Sequence, residues 1–194
     1  MILIMQRQVK ILLSLISIAF LAFSLSRVEA QAQRQSRFFL KNRVSNLCLG
    51  VVGVDGHGPG ARVEVYHCNP GGGDAGNDNQ WTIKDLGNGY SHIINKVSGL
   101  CLGVLGVDGH GPGVRVEVYH CNPGGGDAGN DNQWTIKSLG NGYSHIRNRV
   151  TGLCLGVVGV DDHWAGAPVE VYRCNPGGGD AGYDNQWTIT RIRS

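Results

Sequence analysis

The chain repeats itself. The cysteines Cys48, Cys101 and Cys154 open three copies of one text, each 53 residues after the last (101 − 48 = 154 − 101 = 53) and without a gap. The first two copies differ only at Val52/Leu105, Ala61/Val114, Asp85/Ser138, Ile94/Arg147, Lys96/Arg149 and Ser98/Thr151. A repeat of this length is one supersecondary unit that cannot bury its apolar face alone, so the copies must close around a shared core. Residues 37–89, 90–142 and 143–194 hold the three copies, residues 31–36 form a polar leader, and a single domain is expected.

Inside each copy the apolar spacing is two, the signature of strands rather than helices. Leu47, Leu49 and Val51 share a face, as do Val63 and Val65, and then Trp81 and Ile83. A fourth strand is expected at Phe38 to Asn42, Ser91 to Asn95 and Ser144 to Asn148, the latter two following Asn88-Gly89 and Asn141-Gly142, a strong hairpin signal. The 31 glycines concentrate in polar connections such as Gly56 to Gly60 and Asn69 to Asn79. Four short strands in each of three copies predict an all-β chain of about twelve strands with little helix, in a threefold β-trefoil. A three-bladed propeller would also use four strands per unit, but propellers typically have about four to eight blades.

Residues 1–30 differ in kind. Arg7 and Lys10 precede an apolar run from Ile11 to Leu25, and Val28-Glu29-Ala30 offers small residues at the cleavage positions, the pattern of a secretory signal peptide cut near Ala30. The competing reading, a membrane anchor, needs about twenty apolar residues, more than this run supplies. Without residues 1–30 the chain loses Arg7, Lys10, Arg27 and Glu29, which leaves 17 − 3 = 14 basic and 15 − 1 = 14 acidic residues and no net charge. Such a chain has nothing to hold a phosphate backbone, so nucleic acid is not an expected partner, nor is membrane insertion after cleavage.

An exported chain enters an oxidising compartment, where six cysteines favour disulfides. Six cysteines allow fifteen pairings. The repeat favours Cys48 with Cys68, Cys101 with Cys121 and Cys154 with Cys174, each pair 20 residues apart inside one copy. Free thiols or zinc ligands are the alternative, and no C-x-x-C spacing supports them.

Each copy carries Leu-Cys-Leu-Gly-Val, then Val-Glu-Val-Tyr-x-Cys, then Asp-Asn-Gln-Trp-Thr-Ile; between copies run an Ile-x-Asn strand and a Val-Ser-Gly or Val-Thr-Gly turn. This pattern resembles the ricin B-chain-type lectin repeat, a β-trefoil of the Q-x-W family, over essentially all of residues 37–194. The resemblance implies carbohydrate binding. Two departures stand out. The family's Q-x-W glutamine, which buttresses the sugar site there, falls at Asn79, Asn132 and Asn185, with Gln80, Gln133 and Gln186 one place later; asparagine offers the same amide on a shorter stem, so these three are candidate site residues. The aspartate that galactose-binding relatives carry two residues after the first cysteine is replaced by Gly50, Gly103 and Gly156. Alternation puts these glycines opposite Leu49 and its counterparts, so the place of the acid is expected to be open.

Asp55, Asp108 and Asp161, in the loop just beyond and each followed two residues later by His57, His110 or His163, are candidate substitutes; an Asx turn beside glycine is their bland alternative. Tyr66, Tyr119 and Tyr172 stand where the family places the aromatic platform under a sugar ring, and alternation points them outward. Glu64, Glu117 and Glu170 share that face as acceptors for hydroxyl protons, unless simply solvated. Asp78, Asp131 and Asp184 fall where the family often has a sugar-contacting asparagine, and would accept but not donate; capping the turn before the Trp strand is the alternative. Trp81, Trp134 and Trp187 are expected in the core. Trp164 occurs only in the third copy, where Asp162-His163-Trp164-Ala165 replaces Gly-His-Gly-Pro, and either extends a binding surface or marks a degenerate copy.

The Gly-Gly-Gly-Asp-Ala-Gly stretches faintly resemble calcium-binding nonapeptides, but those recur at nine residues, not 53, and no Lys-Ser or Lys-Thr follows to make a phosphate loop. No metal or cofactor is expected. Catalysis needs different groups at one unsymmetrical place, whereas this chain supplies one polar set three times, which suits avidity for glycans or polysaccharides. The expectation is a secreted, non-catalytic multivalent lectin. The alternative is an exported trefoil that has lost sugar binding and acts as a protein-interaction module or inhibitor.

Overall fold

The computed structural model describes residues 36–53, 58–69, 78–106, 111–122, 127–159, 164–175 and 180–193. The expected signal peptide, most of the leader, and Asp55, Asp108 and Asp161 with their histidines lie outside these residues. Among the described residues no helix is long and apolar enough to cross a membrane.

Twelve strands follow in chain order: β1 (Phe38–Asn42), β2 (Cys48–Val51), β3 (Ala61–Tyr66) and β4 (Trp81–Asp85) in lobe 1; β5 (Ser91–Asn95), β6 (Cys101–Val104), β7 (Val114–Tyr119) and β8 (Trp134–Ser138) in lobe 2; β9 (Ser144–Asn148), β10 (Cys154–Val157), β11 (Ala167–Tyr172) and β12 (Trp187–Arg191) in lobe 3. The glycine-rich connections, expected to be plain loop, each contain one helical turn in lobes 2 and 3: α1 (Asp127–Asn130) and α2 (Asp180–Tyr183).

Three antiparallel pairs, β4–β5, β8–β9 and β12–β1, join successive lobes, and the seams Phe38↔Trp81, Ser91↔Trp134 and Ser144↔Trp187 close them into a six-stranded barrel. Closure removes the sheet edges that a lone repeat would expose. The hairpins β2–β3, β6–β7 and β10–β11 cap one end, and β3, β7 and β11 pair with one another there as a triangle. This arrangement is a β-trefoil.

Period-two patterning decides what is buried. Leu49, Val63, Val65 and Trp81, with their counterparts, fill a single core in which Trp81, Trp134 and Trp187 are 0% exposed. Each indole N–H donates to a buried hairpin carbonyl at 2.8 Å, Trp81 to Leu49, Trp134 to Leu102 and Trp187 to Leu155. The Ile-x-Asn signature has a structural role as well. Asn42, Asn95 and Asn148 accept from the backbone N–H groups two and three residues on, forming an Asx turn, and donate across the lobe boundary to the carbonyls of Asp184, Asp78 and Asp131 at 2.6 Å. The following turn needs a left-handed residue, which is Gly99 or Gly152 in two lobes and Asn46 at φ 61° in the first.

The cysteines pair within each lobe, Cys48–Cys68, Cys101–Cys121 and Cys154–Cys174, with S–S distances of 2.02–2.04 Å and no free cysteine. Each bridge ties the first hairpin strand of its lobe to the residues just after the second.

Candidate functional site

On each hairpin the glutamate and the tyrosine of the second strand stand across the ladder from buried residues of the first. Gly50 pairs with Glu64 and Cys48 with Tyr66; the other lobes repeat this as Gly103 with Glu117, Cys101 with Tyr119, Gly156 with Glu170 and Cys154 with Tyr172. Tyr66, Tyr119 and Tyr172 are 50%, 50% and 51% exposed, a large aromatic left half in solvent at the same place three times. The rings of Tyr66 and Tyr119 rest edge-on against His67 and His120, at centroid distances of 5.1 and 5.2 Å; lobe 3 has Arg173 there.

The glutamates are half-buried and coupled to the aspartates of the Asp-Asn-Gln-Trp segment. Burial raises the Glu64 carboxyl above its ordinary value and the charge of Asp78 raises it further; Glu117 responds in the same way to burial and then Asp131. Burial raises Glu170 while Arg115 opposes the rise. Asp184 is pushed up to about 6, first by burial, with Glu170 adding to the rise and two backbone N–H groups opposing it. Each lobe therefore concentrates two carboxylates beside one exposed tyrosine. Such a set accepts hydrogen bonds from hydroxyls and offers a ring face.

Asn79, Asn132 and Asn185 are placed differently from a surface contact. Each is 2% exposed and donates its Nδ2 inward, to the carbonyls of His67, His120 and Arg173 at 2.9–3.0 Å. Their Oδ1 atoms are buried without a hydrogen-bond partner. This inward turn also places the asparagine against Gly50. A Cβ there would lie 3.5 Å from the Asn79 Cβ, and at Gly103 and Gly156 3.5 and 3.4 Å from the Cβ of Asn132 and Asn185, ordinary van der Waals contact, so the asparagine borders the glycine and a Cβ would still fit.

The displaced glutamines are structural. Gln133 and Gln186 are buried, each donating to the helical turn behind it (Gly129, Gly182) and accepting from an arginine of the next lobe, Arg149 at 2.6 Å and Arg43 at 2.7 Å. Arg43 also stacks over Tyr143 and Tyr183, and Arg149 over Tyr90. Neither residue position nor spacing along the chain signals these cross-lobe clasps.

Sequence reading also missed His92 and His145. Both are buried beside a disulfide, near Cys101–Cys121 and Cys154–Cys174, in groupings of the kind that can hold a metal; here the sulfurs are bonded to each other, which removes the thiolates such an ion requires. The first lobe has Phe39 at the matching position.

Comparison with known proteins agrees with this geometry. The family model described as ricin-type beta-trefoil lectin domain-like matches twice, over residues 23–119 and 77–172. No curated protein matches significantly in sequence. The designed threefold-symmetric protein ThreeFoil is similar at a TM-score of 0.66 and 29% identity, over 79% of this chain and 97% of that one. A ricin B-like lectin of Macrolepiota procera, solved with lactose, is similar at 0.60 and 20%, over 81% and 96%. An exo-beta-1,3-galactanase from Clostridium thermocellum is similar at 0.66 and 22% over 82% of this chain, which spans only 31% of the galactanase. With the repeat, the barrel, the hairpin cap and the family match in agreement, the chain belongs to the ricin-type β-trefoil lectin domain-like family.

Proposed function

We propose that this chain is an exported, non-catalytic lectin that binds glycans or polysaccharides through shallow sites built from the same repeated residues, one in each lobe. Tyr66, Tyr119 and Tyr172 supply the stacking surfaces, and Glu64 with Asp78, Glu117 with Asp131, and Glu170 with Asp184 accept from sugar hydroxyls. Asn79, Asn132 and Asn185 act from beneath, holding the chain that carries the aspartates. Asp55, Asp108 and Asp161 are proposed to complete the sites from the adjoining loops.

The observation that carries this reading is the threefold display of a half-exposed tyrosine beside an electrostatically coupled carboxylate pair on a disulfide-clamped scaffold. Three weak sites on one rigid body raise avidity for a clustered glycan without any new contact, provided they engage together. The expected export by residues 1–30 fits the three bridges, which persist in oxidising surroundings.

The test is a screen of the purified, oxidised chain on an array of glycans and polysaccharides. Binding to clustered glycans, stronger than to the same sugars free in solution, is the expected result. Silence across the array would favour the second reading, a trefoil acting as a protein-interaction module or inhibitor, for which glycine at positions 50, 103 and 156, in place of the acid of galactose-binding relatives, speaks.

A further inference from the structure

The three candidate sites are not alike, because each is bordered by a turn from a different lobe and one of those turns is exceptional. Gly60 of lobe 1 donates to the Val118 carbonyl of lobe 2 at 2.8 Å, and Gly113 of lobe 2 donates likewise to Val171 of lobe 3. Gly166 of lobe 3 completes the cycle by donating to Val65 of lobe 1, also at 2.8 Å. A methyl group added at Gly60, Gly113 or Gly166 would lie 3.7, 3.9 or 3.7 Å from an Oε2 of Glu117, Glu170 or Glu64. Each site glutamate therefore lies against the turn of a neighbouring lobe.

Two of these turns read Gly-Pro-Gly, at 58–60 and 111–113, and are followed by an arginine that pairs with the glutamate: Arg62↔Glu117 and Arg115↔Glu170. The third reads Trp164-Ala165-Gly166 and is followed by Pro168, which pairs with Glu64. Ala167 N–H donates to the Trp164 carbonyl at 3.0 Å, a tight turn that holds the tryptophan next to the strand carrying Glu64 and Tyr66. Trp164 is 58% exposed, the most exposed large apolar side chain among the described residues. In sequence it belongs to the third copy; in space it borders the site of the first.

The geometry points to a composite site on lobe 1, in which Trp164 supplies a second stacking surface beside Tyr66, so that this site takes an oligosaccharide of two or more rings while lobes 2 and 3 take a single terminal residue. The inference rests on the carbohydrate reading above. Two aromatic faces bordering one carboxylate pair suit consecutive rings of a chain, each presenting an apolar face and a rim of hydroxyls. A proline in place of arginine removes both the bulk and the charge that border the other two sites.

Tryptophan emission isolates the effect, since the other three tryptophans are fully buried. Chitotriose, laminaritriose, cellotriose and lactose, with their constituent monosaccharides, are titrated into the oxidised chain while emission and acrylamide quenching are followed. A bound oligosaccharide should shift the emission to the blue and shield it from quencher, and the monosaccharide should not. Trp164→Ala should abolish that response and weaken the best oligosaccharide by at least about fivefold, the scale of a stacked tryptophan anchor. Trp164→Phe should restore most of the affinity, and the double variant Tyr119→Ala/Tyr172→Ala should keep the spectral response.

Oligosaccharide binding that leaves the emission unmoved and is equally tight in Trp164→Ala would overturn the composite site and leave the lectin reading intact. Absence of binding by any sugar, on the array and in these titrations, would reject both.

Discussion

The indole nitrogen of Trp81 donates to the carbonyl of Leu49 at 2.8 Å, joining barrel strand β4 to hairpin strand β2 inside the core. Trp81→Phe deletes that donor, strands a buried carbonyl and leaves a void. The loss should be about 2–4 kcal/mol, combining an unsatisfied polar group with a cavity. Chemical denaturation of the oxidised chain measures it, and a change below about 0.5 kcal/mol would mean that the surroundings relax to fill the space.

The bridge Cys48–Cys68 closes a local loop with a sequence separation of 20. Replacing both cysteines with serine should cost about 3 kcal/mol in the chain-entropy account, with unchanged far-UV circular dichroism at low temperature. A peptide map of the unreduced chain should find three bridges, each within one lobe.

Burial lowers the pKa of His92 and His145, outweighing the backbone of Asn122 or Asn175, which favours the imidazolium. A folded pKa below the unfolded value means that the contribution of these residues to stability is complete above about pH 6.5 and is lost as pH falls toward the folded value. His92→Phe with His145→Phe, copying Phe39 of lobe 1, should remove that part of the acid sensitivity. The melting temperature of parent and variant, followed from pH 8 to pH 4, checks it: parallel curves would show that neither imidazole is the sensor.

Asp184 runs the other way. Its carboxyl is raised to about 6, so the folded chain binds a proton that the unfolded chain refuses until pH nears the ordinary aspartate value of about 3.9. Stability from this group therefore rises as pH falls through that window. Asp184→Asn should be more stable than the parent at pH 7, with the advantage shrinking on acidification. A constant difference between the two melting curves would argue against a raised carboxyl.

Tyr66→Ala, Tyr119→Ala and Tyr172→Ala together should abolish glycan binding on the array without loss of fold. The three rings are half exposed and stand outside the core. Retained binding by the folded triple variant would reject the tyrosines as platforms.

Much of this molecule was legible in the linear text. The fourth-strand expectation at Ser91 to Asn95 coincides with β5, the core positions of Leu49, Val63, Val65 and Trp81 follow from alternation, and the cysteine spacing matches the three bridges. Asn79 shows where reading stopped. Its place in the repeat suggested an amide of a sugar pocket, yet the amide is directed to the His67 carbonyl and its Cβ borders Gly50, a choice made by backbone geometry 12 residues away.

The sequence by itself determined the strands, their inward and outward faces, the threefold plan and the tyrosines left in solvent, because side-chain alternation and near-identical repeats are local properties. Only the tertiary structure decided that Arg43 clasps Gln186, that Asn95 holds the Asp78 carbonyl, and that Gly166 in the Trp164-Ala165-Gly166 turn of the third copy lies against Glu64 of the first. A repeat records its own pattern but not its neighbour. Which copy abuts which is fixed by the direction in which the barrel closes and by the register of β3, β7 and β11 around its axis.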